Sequence, residues 1–216
     1  MADDAIATPD ALYAKPHPIV SAKDVGWVDP HGRRFIALSP FVALASVGPT
    51  GAVDVSPRGG GPGFVHVSED GKTLTRPDRP GNNRLDSLRN IAEGSGEVGL
   101  MFMIPGIDDI YRVNGVARVV ADPAVALEHL ESGKAPKTML VIDVREAYLH
   151  CPKALMRSDL WGDSHRVDRA SLPSLSMDSC PRLLMTRGYA LFMRFRVTCD
   201  THGRPMPTTN SSLWMQ

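Results

Sequence analysis

Apolar residues enter this chain in short blocks separated by glycine, proline and small polar residues, and the spacing within most blocks suits strands. Residues 41–47, FVALASV, are apolar and β-compatible. Gly48-Pro49-Thr50-Gly51 then supplies a turn and residues 52–55 resume as a strand, so a hairpin is predicted. A second hairpin is predicted where residues 64–67 and 74–75 flank the turn cluster SEDGK. Helical spacing appears after Pro80, in Leu85, Leu88, Ile91 and Ala92, with Gly94 and Gly96 able to stop the helix; it should span residues 82–93. The nearly continuous apolar run VGLMFMI, residues 98–104, predicts a strand buried on both faces, and residues 110–120 should pair with it. Residues 123–130 read as a short helix, 138–144 as a further strand and 152–160 as a last helix. The opening thirty residues carry Pro9, Pro16, Pro18 and Pro30. They read as an arm, with at most a short helix over 21–28, and the compact domain should begin near Phe35.

Six or seven strands joined by hairpins, with one well-defined helix and a few short ones, point to a mainly β chain. A small antiparallel barrel removes exposed edges, whereas a doubly wound parallel fold needs more crossovers than these blocks provide. The length, 216 residues, suits one domain with appendages: an arm over 1–30, a barrel over 31–175 and a tail over 176–216. The tail departs in composition. From residue 180 onward it holds five arginines against the single acid Asp200, without an amphipathic period. Either it binds a partner or it is an end unrelated to the domain, such as a reading-frame change would produce; the second reading is preferred, although residues 189–197 could form a strand.

Charge narrows the partners. Lys and Arg balance Asp and Glu at 24 each, so no overall field argues for nucleic acid or an anionic membrane. The acidic start and the lack of a long apolar run make cytoplasmic residence the expectation. Cys151, Cys180 and Cys199 form no CxxC pair and the histidines no metal-binding pattern, so no metal is expected.

The chemistry-bearing stretch is DVSPRGGGPGFVHVSEDGKTLTRPDRPGNNR, residues 54–84. It sets Ser56-Pro57-Arg58 and a glycine cluster on one side of a hairpin, and Arg79-Pro80-Gly81-Asn82-Asn83-Arg84, leading into a helix, on the other. Glycines let backbone N–H groups approach a ligand, arginines offer forked donors, and the first turn of a helix favours an anion. Together the two segments predict a phosphate site, with Asn82 and Asn83 as caps and amide donors. Alone, the glycine cluster would read as a flexible turn and Arg58 as a surface charge. The cluster is neither a dinucleotide fingerprint, since Phe64 stands where its last glycine belongs, nor a P-loop. No nucleophile elbow or triad is evident, and Asp108-Asp109 reads as solvated turn residues. Trp161, with Arg157 one helical turn before it, could flank a planar ring or simply pack at the barrel rim.

The blocks FIALSPFVALAS, DVSPRGGGPGFVHV, PDRPGNNRLDSLRNI, VGLMFMIPG and YRVNGVAR, in this order, resemble the pyridoxamine 5′-phosphate oxidase-like FMN-binding split-barrel flavoproteins over residues 26–172. The resemblance implies an antiparallel split barrel and an FMN whose phosphate is held at Arg58 and at Asn83-Arg84, with Arg79 assisting and Ser56, Pro77 and Asp78 lining the flavin site. It further implies a homodimer with FMN at the interface, the second subunit contributing from the strand around Arg112 and from residues 153–161, which include Arg157 and Trp161. The implied activity is FMN-dependent oxidoreduction of an unknown substrate; the alternative is a non-catalytic flavin- or haem-binding barrel, and a barrel without cofactor is a third reading. Gly60 stands where related sequences often carry an acid. The tail also lacks the Arg-x-His element of true vitamin B6 oxidases, so pyridoxamine phosphate oxidation is disfavoured.

Overall fold

A computed structural model describes residues 12–15, 17–18, 23–79, 81, 83–127, 129–130 and 133–172. The strand expected over 189–197 and most of the arm lie outside the described residues. The chain divides into two compact units, Met1–His165 and Arg166–Gln216. The described part of the second carries one turn of 3-10 helix, Arg169–Ser171, whose entry is capped by the Asp168 carboxylate accepting from the Ala170 N–H at 2.9 Å.

At the boundary between the expected arm and barrel stands a helix that the sequence pattern does not predict. Helix α1, Pro30–Leu38, begins at Asp29, whose side chain accepts from the Gly32 N–H at 2.6 Å, and Pro30 occupies its first turn. Proline at that position loses no intrahelical donor and supplies a preformed φ, so Pro30 starts a helix here instead of breaking one. The helix is held by Arg33, which donates to the carbonyls of Val67, Ser68 and Glu69 at 2.9, 2.6 and 2.9 Å.

Seven strands follow: β1 Phe41–Val47, β2 Val53–Gly59, β3 His66–Val67, β4 Thr73–Pro77, β5 Glu97–Met103, β6 Ile110–Val120 and β7 Met139–His150. They form one antiparallel sheet in the order β2-β1-β5-β6-β7-β4-β3. Between them lie α2 Asp86–Glu93, α3 Pro123–Leu127 and, after β7, α4 Lys153–Ser158. Strand β7 runs six residues past the expected end at 144, because the apolar run stops there while ladder pairing with β6 continues to His150. Its register shifts at Asn114/Gly115, leaving Arg145 as the extra residue of a bulge. There Gly115 lies so close to the Asp143 carbonyl that a Cβ would stand 2.3 Å from it.

The sheet is curled. In strand order β2 and β4 lie five spacings apart, roughly 24 Å in a flat sheet at about 4.8 Å per strand. Yet Arg58 of β2 and Arg76 of β4 stand within electrostatic reach of one another. The two ends of the sheet have therefore come round to face each other, while among the described residues no ladder joins β2 to β3 or β4. The result is a split β-barrel.

Its interior is apolar and close-packed. Val42 and Leu44 of β1, Leu100 and Phe102 of β5, Val113 of β6, and Leu140 and Ile142 of β7 are buried against Ile36 of α1 and Ile91 of α2. Outward positions alternate with these. On β5 the pattern is strictly alternating, which corrects the expectation of a strand buried on both faces. Phe41, Ala43, Ala45 and Val47 of β1 pair with Met103, Met101 and Gly99 of β5 and with Pro57, Val55 and Val53 of β2, so the outward face of three strands is an apolar surface. Val53 and Val55 remain 69% and 63% exposed.

Candidate functional site

The split gathers cationic residues from both ends of the sheet. Arg58 points toward the barrel side from β2, opposite Val42, and its Nε is buried without a hydrogen-bond partner. Arg76, from β4, is 5% exposed, and its Nε is likewise buried and unpartnered. Its terminal nitrogen donates to Asp78 at 3.1 Å. Burial pushes the Arg76 guanidinium below its usual range; the Asp78 hydrogen bond opposes this, and Arg58 and Arg79 add repulsion. Arg58 and Arg79 thus stand within electrostatic reach of the Arg76–Asp78 pair.

Leaving a buried donor unmade costs roughly 1–3 kcal/mol, more when the group is charged. The cluster carries two such Nε donors. A dianion would supply acceptors for both and offset the repulsion among the three arginines, so the residues present fit a phosphate group. Arg76 escaped the sequence reading because TLTRP reads as an ordinary strand; only its pairing with Leu140 and its burial reveal it. The available signal was an arginine at an inward position of an alternating strand.

The other expected residues fall into three groups. Pro77 and Asp78 follow Arg76 directly, and Arg79 donates to the His129 carbonyl at 3.3 Å, so these belong to the cluster. Ser56 lies against α2: its hydroxyl is 2.9 Å from that of Ser87, which donates to Asp54 at 3.2 Å. Ser87 has one proton, so Ser56 donates to Ser87, and this chain ties β2 to the first turn of α2. Asn83 and Arg84 form the approach to that helix. Here the structure corrects the expected cap and start: the helix begins at Asp86 with Leu85 at the cap position and no side-chain cap, while Asn83 adopts a left-handed φ of 59° outside it. Asparagine tolerates that conformation, and it ends the approach loop before the helix can begin. Arg84 reaches the Asp86 carboxylate. Asn82 lies outside the described residues.

Arg112, Arg157 and Trp161 make their described contacts elsewhere. Arg112 stands on the outward face of β6, over the Tyr148 ring at 5.4 Å from its centre. Arg157 is exposed and donates to the Lys153 carbonyl at 3.0 Å. Trp161 is not on the helix with it, since α4 ends at Ser158 with Asp159 in a left-handed conformation; its indole N–H donates to the Ile107 carbonyl at 2.9 Å.

Two hollows flank these features. One, of about 310 Å³, is lined by the Gly59–Gly63 loop, Phe64, His66, Pro77, Arg79 and His129. Of the loop's four glycines only Gly63 takes a positive φ, 84°, as the turn into Phe64 requires. The other, of about 400 Å³, lies on the outward face beside β1 and β5. Its polar groups already have partners within the chain, Arg145 paired with Glu97 at 2.6 Å and the Asn114 amide donating to Glu146 at 2.7 Å. The buried arginine donors without acceptors are in the split. Among the described residues no group of three or more His, Cys, Asp or Glu side chains could hold a metal ion.

Comparison with known proteins finds several partial structural likenesses. HupZ of Group A Streptococcus superposes with a TM-score of 0.44 at 18% identity, over 54% of this chain and 89% of that one. A Clostridium acetobutylicum protein related to general stress protein 26, of the pyridoxinephosphate oxidase family, gives 0.40 at 14%, over 56% and 85%. HutZ, the haem storage protein of Vibrio cholerae, gives 0.39 at 16%, over 57% and 94%. No curated protein matches the chain. The family model described as pyridoxamine 5′-phosphate oxidase matches residues 28–151, more than half of the chain and all seven strands, and the chain accordingly belongs to the pyridoxamine 5′-phosphate oxidase family.

Proposed function

We propose that this protein is an FMN-binding flavoprotein and an oxidoreductase. The observation that carries the reading is the split itself: Arg58 and Arg79 stand within electrostatic reach of the buried Arg76, and the Nε donors of Arg58 and Arg76 are buried without acceptors. In this reading Arg58 and Arg76 hold the phosphate dianion, Arg79 adds charge from the rim, and Asn83 and Arg84 close the approach from the α2 side. Ser56, held by Ser87, presents an oxygen toward the cofactor, and Pro77 and Asp78 form the adjoining wall. Bound FMN would supply reversible one- and two-electron chemistry at its ring, which leaves the protein to bind, orient and control access.

The same reading includes a homodimer. The outward face of β2, β1 and β5 is apolar over several residues from each strand, a kind of surface that soluble chains usually cover. Arg112 stands at its border, and in the dimer a second copy would bring its own Arg112, Arg157 and Trp161 toward the flavin. Residence in the cytoplasm completes the proposal; among the described residues no helix is long and apolar enough to cross a membrane.

The test is direct. Purified protein should be yellow, release one FMN per chain on denaturation and sediment as a dimer; colourless protein that does not take up added FMN would sink the flavin reading. Arg58→Ala should weaken FMN binding by roughly 10- to 100-fold, the value of a charged hydrogen bond of about 1.5–3 kcal/mol. Anaerobic reduction of the bound flavin by NADPH, NADH or a reduced deazaflavin separates an oxidoreductase from a non-catalytic flavin or haem binder, which no donor would reduce.

A further inference from the structure

Beside the arginine cluster lies the hollow bounded by the glycine loop and two histidines, and the phosphate reading makes no use of its far wall. His66 and His129 face each other there, ring centres 4.5 Å apart and planes inclined at 45°. The Nδ1 of His129 is buried and has no hydrogen-bond partner. Arg79 reaches the same wall through the His129 carbonyl. Among the described residues no Asp or Glu lines the hollow, and Asp78, which follows Pro77 in its wall, is already engaged by Arg76. The opposite wall offers backbone: Gly60 and Phe64 donate their N–H groups to Pro40 and Gly61 carbonyls, whereas among the described residues those of Gly61 and Gly63 have no protein acceptor. Phe64 and Pro77 supply apolar sides. A volume of about 310 Å³ suits a small organic molecule.

We propose that this hollow binds a second small anion, a carboxylate or a phosphate monoester with a compact apolar body, using His66, His129 and Arg79 as its charged donors and the glycine loop as backbone donor. Imidazoles suit this task better than further arginines would, because they accept the charge only when an anion is there to match it. Burial, then the neighbouring His129 and Arg79, hold His66 below its ordinary range, so its ring is neutral near pH 7. An anion bound between the rings reverses that balance and draws a proton onto the pair. Among the described residues the charged groups facing His66 are His129 and Arg79; Arg33, on α1, is turned to the carbonyls at the end of β3 and the following turn. Occupation would place an anionic substrate or electron donor next to the proposed flavin, although the site's chemistry stands without the flavin.

The experiment follows the Cε1–H resonances of His66 and His129 by NMR, assigned through His66→Gln and His129→Gln, in protein saturated with FMN and in protein without it. Inorganic phosphate and benzoate serve as probes. Saturable shifts of both resonances and an upward move of the His66 titration midpoint with at least one probe are expected, phosphate alone indicating a phosphate ester and benzoate alone a carboxylate. The double glutamine variant should lose at least about tenfold in probe affinity and keep its FMN affinity. Resonances unmoved by either probe, or probe affinity unchanged in the double variant, would overturn the site. Loss of FMN binding in that variant would also overturn it, by making the hollow part of the flavin pocket. Failure of the flavin reading would appear separately, as colourless protein whose histidines still respond.

Discussion

The interior beneath β1, β5, β6 and β7 and the split between β2 and β4 belong to one sheet, yet they obey opposite rules. Under the central strands Val42, Leu44, Leu100, Phe102, Val113, Leu140 and Ile142 are buried with no polar atom to satisfy. At the split, Arg58 and Arg76 bring charge to places where water cannot reach their Nε atoms. The first region is what dry packing produces when alternating residues meet across a curled sheet. The second has no counterpart in stability: burying like charges with unmade hydrogen bonds costs free energy, and only a ligand can recover it. The contrast separates the part of the molecule that holds the fold from the part that awaits something else.

Removing the largest fully buried side chain should break the first half of that contrast. Phe102→Ala is expected to lower stability by about 3–5 kcal/mol in urea denaturation, with FMN still bound at one per chain in the absence of denaturant. The opposite pattern is expected at the split. Arg76→Met should weaken FMN binding by about 10- to 100-fold, while the flavin-free protein melts at the same temperature or higher, since a buried cation beside two others has been replaced by an apolar chain. If Arg76→Met instead unfolds the protein and leaves FMN affinity intact, the cluster is structural and the contrast fails.

The smallest effect sharpens the boundary between the split and the hollow beside it. His66 has a folded-state pKa below its unfolded value near 6.5, so on acidification the unfolded chain takes up this proton first. Its contribution to stability is complete above about pH 6.5 and declines as pH falls toward the depressed value. The urea midpoint of the wild type should therefore drop more between pH 7.5 and pH 5.5 than that of His66→Gln, and benzoate or phosphate should reduce the difference. Parallel curves for the two proteins would remove the electrostatic link between His66 and its neighbours.

Much of the strand pattern was legible because period-two alternation and turn residues act locally. Strand β1 spans the expected residues and β6 spans 110–120 as read, since Phe41, Val42 and Leu44 or Tyr111 and Val113 announce themselves without a partner. Local chemistry was misread at two helix starts. Pro30 counts locally as a breaker although Asp29 caps the helix that it opens, and the pattern places the start of α2 four residues too early because Asn83 prefers a left-handed turn to a cap. Strand β7 was cut short because residues beyond Val144 are not continuously apolar, and only pairing with β6 shows that they continue the ladder.

By itself the sequence determined a mainly β chain with an arginine-bearing glycine segment, its resemblance to a flavoprotein family, and the expectation of phosphate at Arg58, because composition and short-range spacing carry that information. Tertiary structure alone decided which arginines meet. Arg58 and Arg76 are separated by a turn in sequence and by four intervening strands in the sheet, and they share a site because curling brings opposite ends together. It likewise decided that Trp161 binds the Ile107 carbonyl instead of standing over Arg157, and that His66 faces His129. Charge proximity and burial depend on distance through space, which no local pattern of residues records.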